Sequence, residues 1–119
     1  MGTVPLHRRV INVSHDIMVI LCTAAPDEAE PIAKYLIEQG LAACVSVLPV
    51  QSYYRWKGAF CADREHLMIA KTTSARVNDA IDAIISMHSY DVPEIIALPV
   101  RAGHAPYLDW VRRETGRRG

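Results

Sequence analysis

The chain has 119 residues, 50% of them hydrophobic, and a formal charge of zero, which fits one folded domain and excludes an extended disordered body. Arg8, Arg9, Arg117 and Arg118 lie in the tails, so the body is mildly acidic and lacks the basic stripe of a nucleic-acid groove. The opening "MGTVPLHRRVINVSHD" has no apolar run long enough for a signal peptide, and no stretch approaches a membrane span.

Residues 1–15 read as a flexible extension, with His7 and His15 as tail residues. Residues 16–116 form a single domain, and 117–119 form a tail. "IMVILCT" (17–23) predicts a strand buried on both faces. In "APDEAEPIAKYLIEQG", Ile32, Ala33, Leu36, Ile37 and Gly40 share a helical face. Asp27 and Glu28 suit the positive helix end, Gly40 suits the stop, and Pro31 is expected near the first regular turn. "AACVSVLPV" predicts the second strand, with a kink or bulge at Pro49, and "SYYRWKGAFC" continues it to a hairpin tip at "ADR". "EHLMIAKTT" returns as the third strand. Val77, Ala80, Ile81, Ile84, Ile85 and His88 then recur at helical spacing, with Thr73 or Ser74 as cap and His88 at the negative end. "EIIALPV" gives the fourth strand, and "YLDWVRRE" a terminal helix with Pro106 at its start.

This order predicts an α+β, ferredoxin-like βαββαβ antiparallel sheet with an extra C-terminal helix. Two helices cover one sheet face. The strands are apolar on both, so the other face is expected to be covered by further copies of the chain.

Three cysteines, Cys22, Cys44 and Cys61, stand far apart in strand-like surroundings, which matches neither a disulfide framework nor a zinc cluster and favours a reducing cytoplasmic setting. Cys44 has three readings: a small buried hydrophobe, a soft-metal ligand, or a nucleophile that would need a base such as Lys71 or His88. Lys71 ends an apolar strand, where its ammonium needs a partner or a rim position. Glu94 is the candidate partner, and a ligand-binding role is the alternative. "YYRW" and "YLDW" supply aromatic side chains of the kind that fill interfaces or line pockets.

Together, "LAACVSVLP", "SYYRWKG", "LMIAKTT", "YDVPEIIALPV" and "YLDWV" resemble the CutA divalent-cation-tolerance family in order and spacing, from about Ile17 to Glu114. The resemblance implies a PII-like homotrimer of cytoplasmic setting, tied to tolerance of divalent metals and to copper especially; no base-and-orienter set is evident among the residues, so neither enzymatic activity nor an organic cofactor is expected. It implies that Cys44 binds metal, and that Trp56, Lys71, Glu94, Tyr107 and Trp110 line a cleft where subunits meet. An alternative is a sensor holding a small anion through Lys71; an enzyme using Cys44 or Lys71 ranks last. Two positions depart from the family pattern: Ser46 replaces an asparagine and Ser89 a proline.

Overall fold

A computed structural model describes residues 11–116. The expectations placed on residues 1–10 and 117–119, including His7 and the four tail arginines, lie outside that range. The elements in chain order are β1 (Ile11–Val13), β2 (Ile17–Ala24), α1 (Pro26–Glu38), β3 (Cys44–Trp56), β4 (Ala59–Thr73), α2 (Ser74–Met87), β5 (Ile95–Pro99), β6 (Ala102–His104) and α3 (Ala105–Glu114). The principal sheet is antiparallel in the order β3-β4-β2-β5. Each helix therefore links two strands that run parallel but are not neighbours, as in the split βαβ plan read from the sequence.

Alternation along the strands assigns the two faces. Ile20, Cys22, Ala24, Met68 and Ala70 point to the helices and form one core with Ala29, Ile32 and Leu36 of α1 and Ala80 and Ile84 of α2. Ile37 and Ile85 were expected on the buried faces, yet both are exposed. At about 100° per residue each sits well to the side of its buried stripe. Val19, Leu21, Ile69, Ile96 and Leu98 occupy the opposite face. There α3 covers one end, packing Leu108 and Val111 on Ile17 and Ala43.

Several local features differ from expectation. α1 begins at Pro26 and carries Pro31 inside the helix. Pro31 and Asp27 are both exposed, so the Asp27 carbonyl that Pro31 leaves without a donor can be hydrated. Gly40 (φ 67°) ends the helix as expected. The Leu41 N–H bonds the Leu36 carbonyl at 2.9 Å and the Gly40 N–H bonds Ile37 at 3.1 Å, the Schellman arrangement. The β3–β4 ladder runs without a bulge from Cys44↔Lys71 to Trp56↔Ala59, with Pro49 opposite His66. β3 is an edge strand, where a proline need not break a ladder bond. The hairpin tip is Lys57–Gly58, and "ADR" lies inside β4. Both tip residues have positive φ (50° and 80°), as a two-residue type I′ turn requires.

Thr73 is the N-cap of α2, but its hydroxyl makes no cap bond and lies 3.4 Å from the Thr115 hydroxyl. Part of the expected N-terminal extension is paired: β1 forms a two-stranded sheet with β6, in register Ile11↔His104. The Arg76 guanidinium donates to the carbonyls of Thr115 (2.8 Å) and Gly116 (3.1 Å), tying the end of α3 to α2.

Candidate functional site

The sheet face left open by α1 and α2 carries two distinct chemical environments, one at each end. At the α3 end, the pairing Cys44↔Lys71 places both side chains on this face. Lys71 Nζ donates to Ser46 Oγ at 2.8 Å and lies 3.9 Å from Cys44 Sγ. Ser46, one of the two departures from the family pattern, thus holds the ammonium. Tyr107 of α3 stands beside the thiol. Burial first, and then Cys44, pushes its phenol above the ordinary range. Tyr107 also packs on Trp110 with ring centroids 5.6 Å apart, and Trp110 belongs to the apolar base under α3.

The expected Lys71–Glu94 pair does not form within the chain. Lys71 sits opposite Val19, whereas Glu94 accepts a long 3.5 Å contact from the Thr23 hydroxyl, four residues further along β2. Among the described residues no carboxylate lies within 4.0 Å of the Lys71 ammonium.

Glu94 and Trp56 instead share a hollow of about 650 Å³ at the other end of the face. Thr23, Tyr54, Asp63, Glu65 and Tyr90 also line it. Tyr54 donates to Asp63, and Tyr90 donates to Glu65 Oε2 at 2.9 Å. The Tyr54 phenol is pushed up to about 12, chiefly by its bond to Asp63, and the Tyr90 phenol is raised by burial and then by Glu65. A phenol that donates to a carboxylate gives up its proton reluctantly, because ionisation would set two anions together.

His88 anchors the wall that carries Tyr90. It is the C-cap residue of α2, its backbone N–H on the Ile85 carbonyl, while its ring bonds to β2. Nε2 is 2.7 Å from the Thr23 carbonyl oxygen and Nδ1 accepts the Tyr90 N–H at 3.2 Å, so the ring proton belongs on Nε2. The Ser89 N–H donates to Glu28 Oε1 at 3.3 Å, a bond that the family's proline at this position could not make.

Of the sequence-predicted residues, the structure thus gathers Cys44, Lys71, Tyr107 and Trp110 at one end and Trp56 with Glu94 at the other. Asp63, Glu65 and Tyr90 were missed, and Tyr54 entered only as part of the aromatic run "YYRW". Correct placement of the turn would have revealed the two acids, because a two-residue tip at Lys57–Gly58 puts Tyr54, Trp56, Asp63 and Glu65 on one face.

Cys44 and Cys61 are half-buried and Cys22 is enclosed; all three are free thiols. Burial raises Cys22 to about 12, which keeps it a protonated core residue. Among the described residues, no three His, Cys, Asp or Glu side chains converge closely enough to hold a metal ion. No helix among them is long and apolar enough to cross a membrane.

A profile described as CutA1 divalent ion tolerance protein matches residues 17–114. The divalent-cation tolerance protein CutA of Thermus thermophilus is 44% identical over 100 residues, covering 82% of this chain and 97% of its own. The structure of CutA from Synechococcus elongatus superposes with a TM-score of 0.85 at 36% identity, covering 89% of this chain and 96% of that one. A PII-like protein CutA from Nostoc superposes with a TM-score of 0.79 at 30% identity, covering 83% and 97%. The α+β sheet with its C-terminal helix is thus shared with a PII-like protein. With the profile spanning nearly all of the described fold, this chain belongs to the CutA divalent ion tolerance family.

Proposed function

We propose that the chain serves in divalent cation tolerance as a homotrimer that binds copper or a related cation weakly, without enzymatic activity or an organic cofactor, in a cytoplasmic setting. The observation that supports assembly is the open sheet face. Leu48, Ile96 and Leu98 on it are 40–49% exposed beside half-buried Leu21 and Ile69, and a cluster of this kind favours burial against another copy. Cys44 is the thiol at the Lys71 end of that face, with Cys61 far off at the hairpin end, and a single thiolate needs further donors to hold a soft metal. Those donors would come from a neighbouring copy, which would also bring the two ends of the face together into one cleft. Copper titration of wild type and Cys44→Ser under reducing conditions tests the metal reading. Binding should strengthen as pH rises, because the ligating thiol must lose its proton, and the serine variant should weaken it. Identical isotherms would leave Cys44 a packing residue. Sedimentation tests the assembly, with a mass three times that of the chain expected and a stable monomer refuting it.

A second reading is favoured by Lys71. A half-buried ammonium without a neighbouring carboxylate attracts anions, so a PII-like sensor would bind a small anionic ligand there. Loss of anion binding in Lys71→Met, with copper binding unchanged, would separate the two readings.

A further inference from the structure

We propose that His88 is a proton-sensitive latch on residues 88–94, the connector from α2 to β5. Its side chain is fully enclosed, at 0% exposure, yet both ring nitrogens are bonded. Nε2–H donates to the Thr23 carbonyl of β2 at 2.7 Å, and Nδ1 accepts the Tyr90 N–H at 3.2 Å. Only the neutral ring can do both, because an imidazolium has two donors and no acceptor. The Tyr90 ring also packs on the imidazole, with centroids 4.5 Å apart. The connector is thus held by a bond that exists in one charge state of one side chain.

The partner for the other charge state is already in place. Glu28 Oε1 of α1 lies 3.9 Å from Nδ1, too far for a hydrogen bond while the ring is neutral. The Ser89 N–H holds that same oxygen at 3.3 Å. A proton taken from water onto Nδ1 exchanges the Tyr90 N–H for the Glu28 carboxylate and leaves the Nε2 bond to Thr23 intact. A charge-assisted bond of that kind outweighs the neutral one it replaces. Four further ionisable groups lie on the elements packed around the ring. Glu94 meets the Thr23 hydroxyl, Glu65 of β4 meets the Tyr90 phenol, Asp91 belongs to the connector, and His66 stands opposite Ala24. The three acids favour a cation at His88 and His66 opposes it.

The connector also gives the proton its way in, since Ser89, Tyr90, Asp91 and Val92 are exposed. Histidine changes charge between about pH 5 and 8 in ordinary surroundings, which makes mild acidification the natural signal. Tyr90 and Glu94 both stand on the connector and line the hollow, so acid loosens the wall that the proposed trimer sets against a second copy. That consequence rests on the preceding reading; the latch does not.

The test is NMR of the intact chain between about pH 8 and pH 5, following the His88 ring nitrogens and the exchange protection of the Tyr90 amide. At the alkaline end the ring should be the neutral Nε2–H tautomer. As pH falls, Nδ1 should gain its proton and the Tyr90 amide should lose roughly five- to tenfold in protection at the same midpoint, the scale of one hydrogen bond. The Leu41 amide, which closes α1, should keep its protection throughout. Glu28→Gln retains an acceptor for the Ser89 N–H but loses the charge, so it should move both changes to lower pH. A Tyr90 amide that stays protected while the ring titrates overturns the proposal, as does a ring that stays neutral to the acid end. An unshifted midpoint in Glu28→Gln also overturns it. So does loss of Leu41 protection together with that of Tyr90, which is general unfolding. Copper titration and sedimentation read the preceding proposal separately, so the two can fail independently.

Discussion

A double-mutant cycle on Lys71 and Glu94 tests the two-ended layout of the open face directly. The register sets Lys71 of β4 opposite Val19, and Glu94, the residue before β5, beside Thr23, on the two sides of β2. Four residues at about 3.3 Å and two strand spacings at about 4.8 Å separate their backbones by about 16 Å. At an effective dielectric of 20, opposite charges at that distance attract by about 1 kcal/mol before screening. Physiological salt, with a Debye length of about 8 Å, reduces this to roughly 0.1–0.2 kcal/mol. Lys71→Met keeps the apolar stem and loses the bond to Ser46, a hydroxyl exposed enough to bond water instead, so it should cost at most about 1 kcal/mol. Glu94→Gln keeps a partner for Thr23 and should cost less. Urea unfolding of wild type, both single variants and the double variant gives the coupling. A coupling above about 1 kcal/mol at concentrations where the chain is monomeric would refute the layout. Coupling that rises with protein concentration would instead bring the two residues together across a subunit contact, as the proposed trimer requires.

Two further outcomes follow from local structure. Gly58→Ala should lower stability by about 1 kcal/mol in a thermal melt through backbone strain alone, since φ is +80° and a Cβ there would meet nothing within 4 Å; an unchanged melt would refute the positive-φ turn. Asp16 receives bonds from Arg112 at 2.9 and 3.0 Å, and this pairing holds its carboxyl below the usual value. A depressed folded value means that the contribution is present above the unfolded value of about 3.9 and is lost as pH falls through the folded one. Asp16→Asn should therefore flatten the acid limb of the stability profile below about pH 4, and an unaltered limb would show that the pair carries no pH dependence.

The element order and the centre of each helix face were legible because Ile20, Cys22, Met68, Ile32, Leu36 and Ile84 recur at strand or helix spacing, whereas Ile37 and Ile85 at the margins of the faces were misread. Local exceptions were harder to read. Pro49 suggests a bulge unless the strand is known to lie at an edge, and edge position is a property of the whole sheet. Misplacing the tip at "ADR" hid Asp63 and Glu65, since Lys57 gives little sign of the left-handed conformation it adopts. β1 and β6 are three residues each and pair across most of the chain, so no local pattern announces them. The candidate site was legible as a set of residue types. Its division into a basic and an acidic end was not, because that depends on which positions along β2 face Lys71 and Glu94.

The two-residue turn and the thirteen-residue strand beside it also bear on the order of folding events. β3 and β4 can zip outward from Lys57–Gly58 by closing successive short loops, whereas β5 must find β2 across the chain, Met18 meeting Pro99. Loop-closure entropy rises by about 0.6 kcal/mol per doubling of length, so contacts of β5 are costly until β2, β4 and their helices have already shortened the path. The hairpin is thus expected early on the pathway and β5 late. Trp56 sits at the early end of that sequence and Glu94 at the late end, so the hollow between them takes shape only when the last strand docks. Substitutions at Ile95 or Ala97 should then speed unfolding with little effect on the folding rate, and Trp56 should report the final step of folding.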